Sequence, residues 1–106
     1  YLEKALEYMR LKAESKPAFF CSGDTFAGEL MSFFSRNGYL LPDDYGLMGY
    51  DRVGFYQDFS PRLTTVDNHV ERMGYEAANM LIDMIEGREV PQHIKVPVAI
   101  VEGQTL

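Results

Sequence analysis

Asp51 has the most to offer chemically. It follows the apolar run Leu47-Met48-Gly49-Tyr50, so its carboxylate stands at the end of a strand-like segment. A carboxylate there can accept hydrogen bonds from two neighbouring hydroxyls, as on a sugar, and charged acceptors form the stronger bonds. A turn or capping aspartate would look the same from position alone. Asp24 comes after Cys21-Ser22-Gly23, where a helix begins, and an acid in a first turn also suits the helix dipole. Asn68 could cap the helix that follows it or turn toward a ligand. His69 and His93 are far apart and show no metal-ligand spacing, so surface or capping roles are expected and no metal. Cys21 is the single cysteine, which excludes an internal disulfide; its apolar neighbours place it in a core strand. The Gly23–Gly28 stretch lacks the Gly-Lys-Ser/Thr of a phosphate loop. No nucleophile, base and oxyanion donors assemble, so neither catalysis nor a cofactor is expected.

These residues need elements to hold them. Leu2, Ala5, Leu6, Met9 and Ala13 recur at helical spacing, predicting an amphipathic helix over about 2–15 that Pro17 stops. Ala18–Ser22 is a continuous apolar run, the pattern of a strand buried on both faces. A second helix carries Phe26, Leu30, Phe33 and Phe34 on one stripe; Asn37-Gly38 is its C-cap and Pro42 ends the connection. Residues 45–50 form another strand, 52–63 a loop around Gly54, Ser60 and Pro61, and 63–66 a brief β-prone stretch. Val70, Met73, Gly74, Ala77, Ala78, Leu81, Ile82 and Ile85 then follow the helical template over four turns. Asn68 with Glu71 is an imperfect capping pair, and Gly87 and Pro91 stop this helix. Residues 94–101 are a last strand, rich in Val and Ile.

Helices alternating with short apolar strands predict an α/β fold, a mainly parallel sheet with helices on both faces. In such sheets ligands sit beyond the carboxyl ends of the strands, which singles out Ser22-Gly23-Asp24, Asp51-Arg52 and Asp67-Asn68. The 106 residues suit one domain or part of one, with 46% hydrophobic and 25% charged residues, which excludes a disordered chain. A net charge of −6 without a Lys/Arg block offers no footprint for DNA. No apolar run approaches the ~18 residues of a membrane span. The chain opens on an amphipathic helix rather than a signal peptide.

Read in order, the segments resemble the LacI/GalR family of transcription regulators. Ala18-Phe19-Phe20-Cys21-Ser22-Gly23-Asp24-Thr25-Phe26-Ala27 is similar to the family's "aifcsNDxxA" turn, and Gly38–Asp44 to "GlxvPeDv". Leu47–Asp51 resembles "vvGfDd", and Pro61-Arg62-Leu63-Thr64-Thr65-Val66 resembles "PpLTTV". Met73-Gly74, Ala77-Ala78, Glu86–Pro91 and the closing Pro97–Thr105 continue the match, so the ordered set covers essentially the whole chain.

This resemblance implies part of a two-lobed, periplasmic-binding-protein-like type I effector domain. Residues 1–66 would be the second half of the C-terminal lobe, 67–95 a helix and crossover of the N-terminal lobe, and 96–106 a return to the C-terminal lobe. A helix-turn-helix and the first lobe would lie outside this chain. The implied function is sensing of a small-molecule effector, a sugar, by a cytoplasmic, homodimeric repressor that reaches operator DNA through the other domain. It implies effector contacts from Asp51, Asn68, Asp24 and Gly23, and a dimer patch including Met31 and Phe59. Asn68 stands where the family often has Gln, Gly23 replaces the Asn of its "ND" pair, and Arg52 replaces a common second Asp. A periplasmic sugar-binding protein of a transporter is the nearest rival; the segments 61–66 and 87–91 favour the regulator. A response-regulator receiver lacks its acidic pair and lysine here, and an α/β hydrolase lacks its G-x-S-x-G elbow.

Overall fold

A computed structural model describes residues 1–58 and 60–106. Helix α1 spans Leu2–Lys12, shorter than expected because Ala13–Ser15 tighten into a 3-10 turn and Lys16 turns left-handed (φ 45°) ahead of Pro17. Strand β1 (Ala18–Phe20) leads to α2 (Asp24–Arg36), then β2 (Gly46–Tyr50), a 3-10 turn (Gly54–Gln57), β3 (Thr64–Asp67), α3 (Val70–Ile85) and β4 (Ala99–Val101). The sheet order is β1-β2-β3-β4; the first three strands run parallel and β4 pairs antiparallel with β3. The expected α/β sheet, mainly parallel, is therefore present. The last strand is confined to 99–101, since Pro97 has no N–H to offer a ladder.

Helices α1 and α2 cover one face of the sheet. Leu6 and Met9 from α1 meet Ala27, Leu30 and Phe34 from α2 over Tyr45, Leu47 and Leu63. Phe34 is the centre: its ring packs edge-on against Phe19 (5.3 Å between centroids) and Tyr45 (4.9 Å). The α2 stripe is thus core from Leu30 to Phe34, whereas Phe26 at its start is exposed. Helix α2 ends as expected, with Asn37 as C-cap and Gly38 left-handed (φ 85°).

The opposite face is open. Strand β1 is not buried on both sides, because Phe20 and Ile100 on that face are exposed. Helix α3 has the expected length and its Gly87 stop (φ 77°), but none of its residues is buried. It projects from the body, giving extents of 59 × 26 × 19 Å.

Candidate functional site

The parallel register between β2 and β3 sets Tyr50 opposite Val66, so the chain leaves the two strands at Asp51 and Asp67, side by side. Two neighbouring carboxylates repel, and Arg52 answers this: its Nη1 donates to Asp67 Oδ2 at 2.7 Å. The His69 backbone N–H donates to Asp67 Oδ1 at 2.8 Å, and its ring nitrogen Nδ1 lies 3.5 Å from Oδ2. Arg52's hydrogen bond, then that of the His69 N–H, hold the Asp67 carboxyl below the usual carboxylate range.

Asp51 turns out of the ladder rather than continuing it. Its own N–H still bonds Val66 O at 2.9 Å, but Asp51 and Arg52 both take left-handed backbone conformations (φ 92° and 51°), and His69 does the same (φ 51°). Non-glycine residues there are strained, and such residues gather where a site is being shaped. The turn brings the Asp51 carboxylate to Asn68, whose Nδ2 donates to Oδ1 at 2.8 Å. Asn68 therefore does not cap α3; His69 is the cap position, with no side-chain cap bond. The other atom of that amide, Asn68 Oδ1, is buried and accepts no hydrogen bond among the described residues. A buried acceptor in that state calls for a donor from elsewhere.

Gly23, the N-cap of α2, lies beneath Asp51: a Cβ there would stand 3.7 Å from Asp51 Oδ2. Gly23, Asp51 and Asn68 thus come together at the carboxyl ends of the strands. Asp24 is fully buried behind them, with Oδ1 accepting from Thr65 Oγ1 at 2.6 Å and Oδ2 from the Val53 N–H at 2.7 Å. It presents its carboxylate to the protein interior. Met31 is half-buried against the core, away from this group. Phe59 lies outside the described residues.

In front of Asp51 opens a cleft of ≈ 420 Å³, lined by Asp51, Arg52, Asp67 and His69 and by the first turn of α3. That volume suits a small molecule. Sequence reasoning placed Arg52 and Asp67 at the strand ends but gave neither a part in the site, and it gave His69 only a surface or capping role. The signal for them was the run Asp67-Asn68-His69 at a strand end beside Asp51-Arg52, but only the register shows that the two ends are neighbours.

The family model of the periplasmic binding protein-like domain matches residues 2–106. The chain belongs to that family. Within it the affinities are to LacI/GalR regulators. The HTH-type transcriptional repressor PurR of Vibrio campbellii is 40% identical over 77 residues, covering 72% of this chain and 23% of the repressor. The PurR of Escherichia coli O1:K1 is 32% identical over 104 residues, covering 97% of this chain and 30% of that protein. Among solved structures, the periplasmic binding ribose operon repressor protein of Lactobacillus acidophilus superposes with a TM-score of 0.84 at 25% identity, over 98% of this chain and 38% of its own. The chain thus spans about a quarter to a third of the curated relatives it matches. This periplasmic-binding-protein-like sequence has, among the described residues, no helix long and apolar enough to cross a membrane.

Proposed function

We propose that this chain is the effector-sensing and dimerisation part of a LacI/GalR-type transcriptional regulator, and that the effector is a sugar. One observation carries the reading: the Asp51 carboxylate, braced by the Asn68 amide, lines a cleft of small-molecule size. The two oxygens of one carboxylate suit a pair of vicinal hydroxyls. Asp51 and Asn68 contact the ligand; Gly23 leaves room beneath it, and Asp24 serves the same site from behind. The domain acts by binding, not by catalysis, and works in the cytoplasm. A transporter's binding protein would share the fold, but the repressor relatives support the regulator.

In this reading residues 67–95 belong to the N-terminal lobe and 96–106 return to the lobe of 1–66. The way α3 projects without a buried residue supports that division. Operator DNA is bound by another domain, consistent with the −6 charge of this one. The homodimer patch includes Met31 and Phe59.

The test is Asp51→Asn in the full-length protein, which keeps the shape and removes the charge. A thermal-shift screen of sugars, ribose among them, supplies the ligand for calorimetry. Loss of one hydrogen bond to a charged acceptor, at about 1.5–3 kcal/mol, predicts roughly ten- to 150-fold weaker binding with the fold intact. Operator release then needs correspondingly more sugar, because effector acts through its differential affinity for two states. Unchanged sugar affinity with a lowered melting temperature would make Asp51 a turn residue and overturn the reading.

A further inference from the structure

We propose that Asp24 is a positioning residue of the cleft: its buried carboxylate holds the left-handed turn that carries Asp51 and Arg52. The functional weight of this proposal rests on the ligand reading of Asp51; its geometry does not.

The position of Asp24 at the start of α2 suggests a helix cap, but its bonds are tertiary. Gly23 is the N-cap, no side chain caps the helix, and both Asp24 oxygens leave for other segments. Oδ1 takes the hydroxyl of Thr65 in the middle of β3 and Oδ2 takes the N–H of Val53, the first residue after the strained pair. Asp51 and Arg52 sit in a region L-residues rarely adopt, and Val53 returns to extended backbone (φ −66°). The turn is therefore pinned on both sides, by the Asp51 N–H on Val66 O at entry and by the Val53 N–H on Asp24 at exit.

The other contacts to the turn come from the cleft side, where Arg52 is half exposed. Water competes with them. Asp24 is 0% exposed, so its bond to Val53 is made where water does not compete and a charged acceptor is at its strongest. The fold also makes space for it: a Cβ on Gly49 of β2 would overlap the Asp24 carboxylate and stand 3.0 Å from Leu63 Cδ2. A buried carboxylate is costly unless its bonds are complete, and here each oxygen has a donor. Strand β3, the helix start and the cleft turn are thereby tied at one point behind the ligand.

The test is hydrogen exchange by mass spectrometry on the full-length protein, comparing Asp24→Ala, Asp24→Asn and Thr65→Val. In Asp24→Ala, exchange across residues 51–54 should rise roughly ten-fold or more, while α1 and β1 keep their protection. Asp24→Asn should restore slow exchange, since its oxygen can accept from Val53 while its amide faces the Thr65 hydroxyl. Thr65→Val should lower the melting temperature yet leave 51–54 protected, because the bond to Val53 survives. Protection of 51–54 that is unchanged in Asp24→Ala, or lost equally in Thr65→Val, overturns the proposal. If Asp24→Ala does not fold, the native protein decides: the Val53 amide, in an exposed loop, must be slow, and exchange at the rate of an open loop overturns it. None of these measurements uses a ligand. A failure here leaves the sugar reading of Asp51 standing, and unchanged sugar affinity in Asp51→Asn leaves the Asp24 anchor standing.

Discussion

Arg52 and Asp67 show how one residue changes the character of a site. Where the LacI/GalR pattern often has a second aspartate after the strand, this chain has Arg52, and it bonds the carboxylate of the neighbouring strand end. With Asp51, Asp67 and Glu71 around one cleft, a further acid would add repulsion; the guanidinium removes some of it. The arrangement predicts a pH dependence. The folded pKa of Asp67 lies below its unfolded value, so the unfolded chain binds the proton more readily. Its contribution is therefore complete above the ordinary carboxylate value of about 4 and is lost as pH falls through the lower folded value. Acid melts of the wild type and Asp67→Asn should differ at neutral pH and converge in that window. A gap that stays constant down to the lowest pH would remove Asp67 from the acid transition.

Between elements, close backbone approach matters as much as apolar packing. The closing segment after β4 runs back under the start of β3, where Thr105 links two strands: its Oγ1 accepts from Thr64 N (2.9 Å) and donates to Leu47 O (2.6 Å). Alongside, the Gln104 N–H donates to Arg62 O (2.7 Å) and the Arg62 N–H donates to the Gln104 side-chain Oε1 (2.9 Å). This crossing requires Gly103, because a Cβ there would run into the backbone of Arg62, Leu63 and Thr64. Backbone cannot rotate away as a side chain can. Gly103→Ala should therefore destabilise the domain by about 1–3 kcal/mol, in the range of overpacked cores, seen as a lower midpoint in urea. An unchanged midpoint would mean that the closing segment is not held against β3 in solution.

At the scale of the molecule the chain is elongated. Its radius of gyration is 18.3 Å, against about 13 Å for a compact domain of this length. The excess comes from α3, whose apolar stripe (Val70, Leu81, Ile82 and Ile85) is exposed, and the bare sheet face adds Phe20 and Ile100. Exposed apolar surface of this kind favours association. The 106-residue chain by itself should therefore self-associate at micromolar concentration in sedimentation velocity, and bind a hydrophobic dye. A monodisperse monomer with no dye binding would show that these surfaces find cover within the chain.

Much of the architecture was legible in the amino-acid order, because periodicity is local. The stripes of α1, α2 and α3, the stops at Gly38 and Gly87, and the apolar runs of β1 and β2 all follow from spacing along the chain. The LacI/GalR resemblance was legible for the same reason, as an ordered set of short motifs. Three things depended on contacts between distant segments. Burial of β1 on one face only reflects which elements reach the sheet, and an apolar run reads alike in either case. Asn68 bonding Asp51 instead of capping α3 depends on the register that makes two strand ends neighbours. Asp24 reads as a first-turn acid, yet its partners are 29 and 41 residues away, at Val53 and Thr65. Local spacing reports what a side chain can do; which of its bonds forms is decided by the donors that the fold brings within 3 Å.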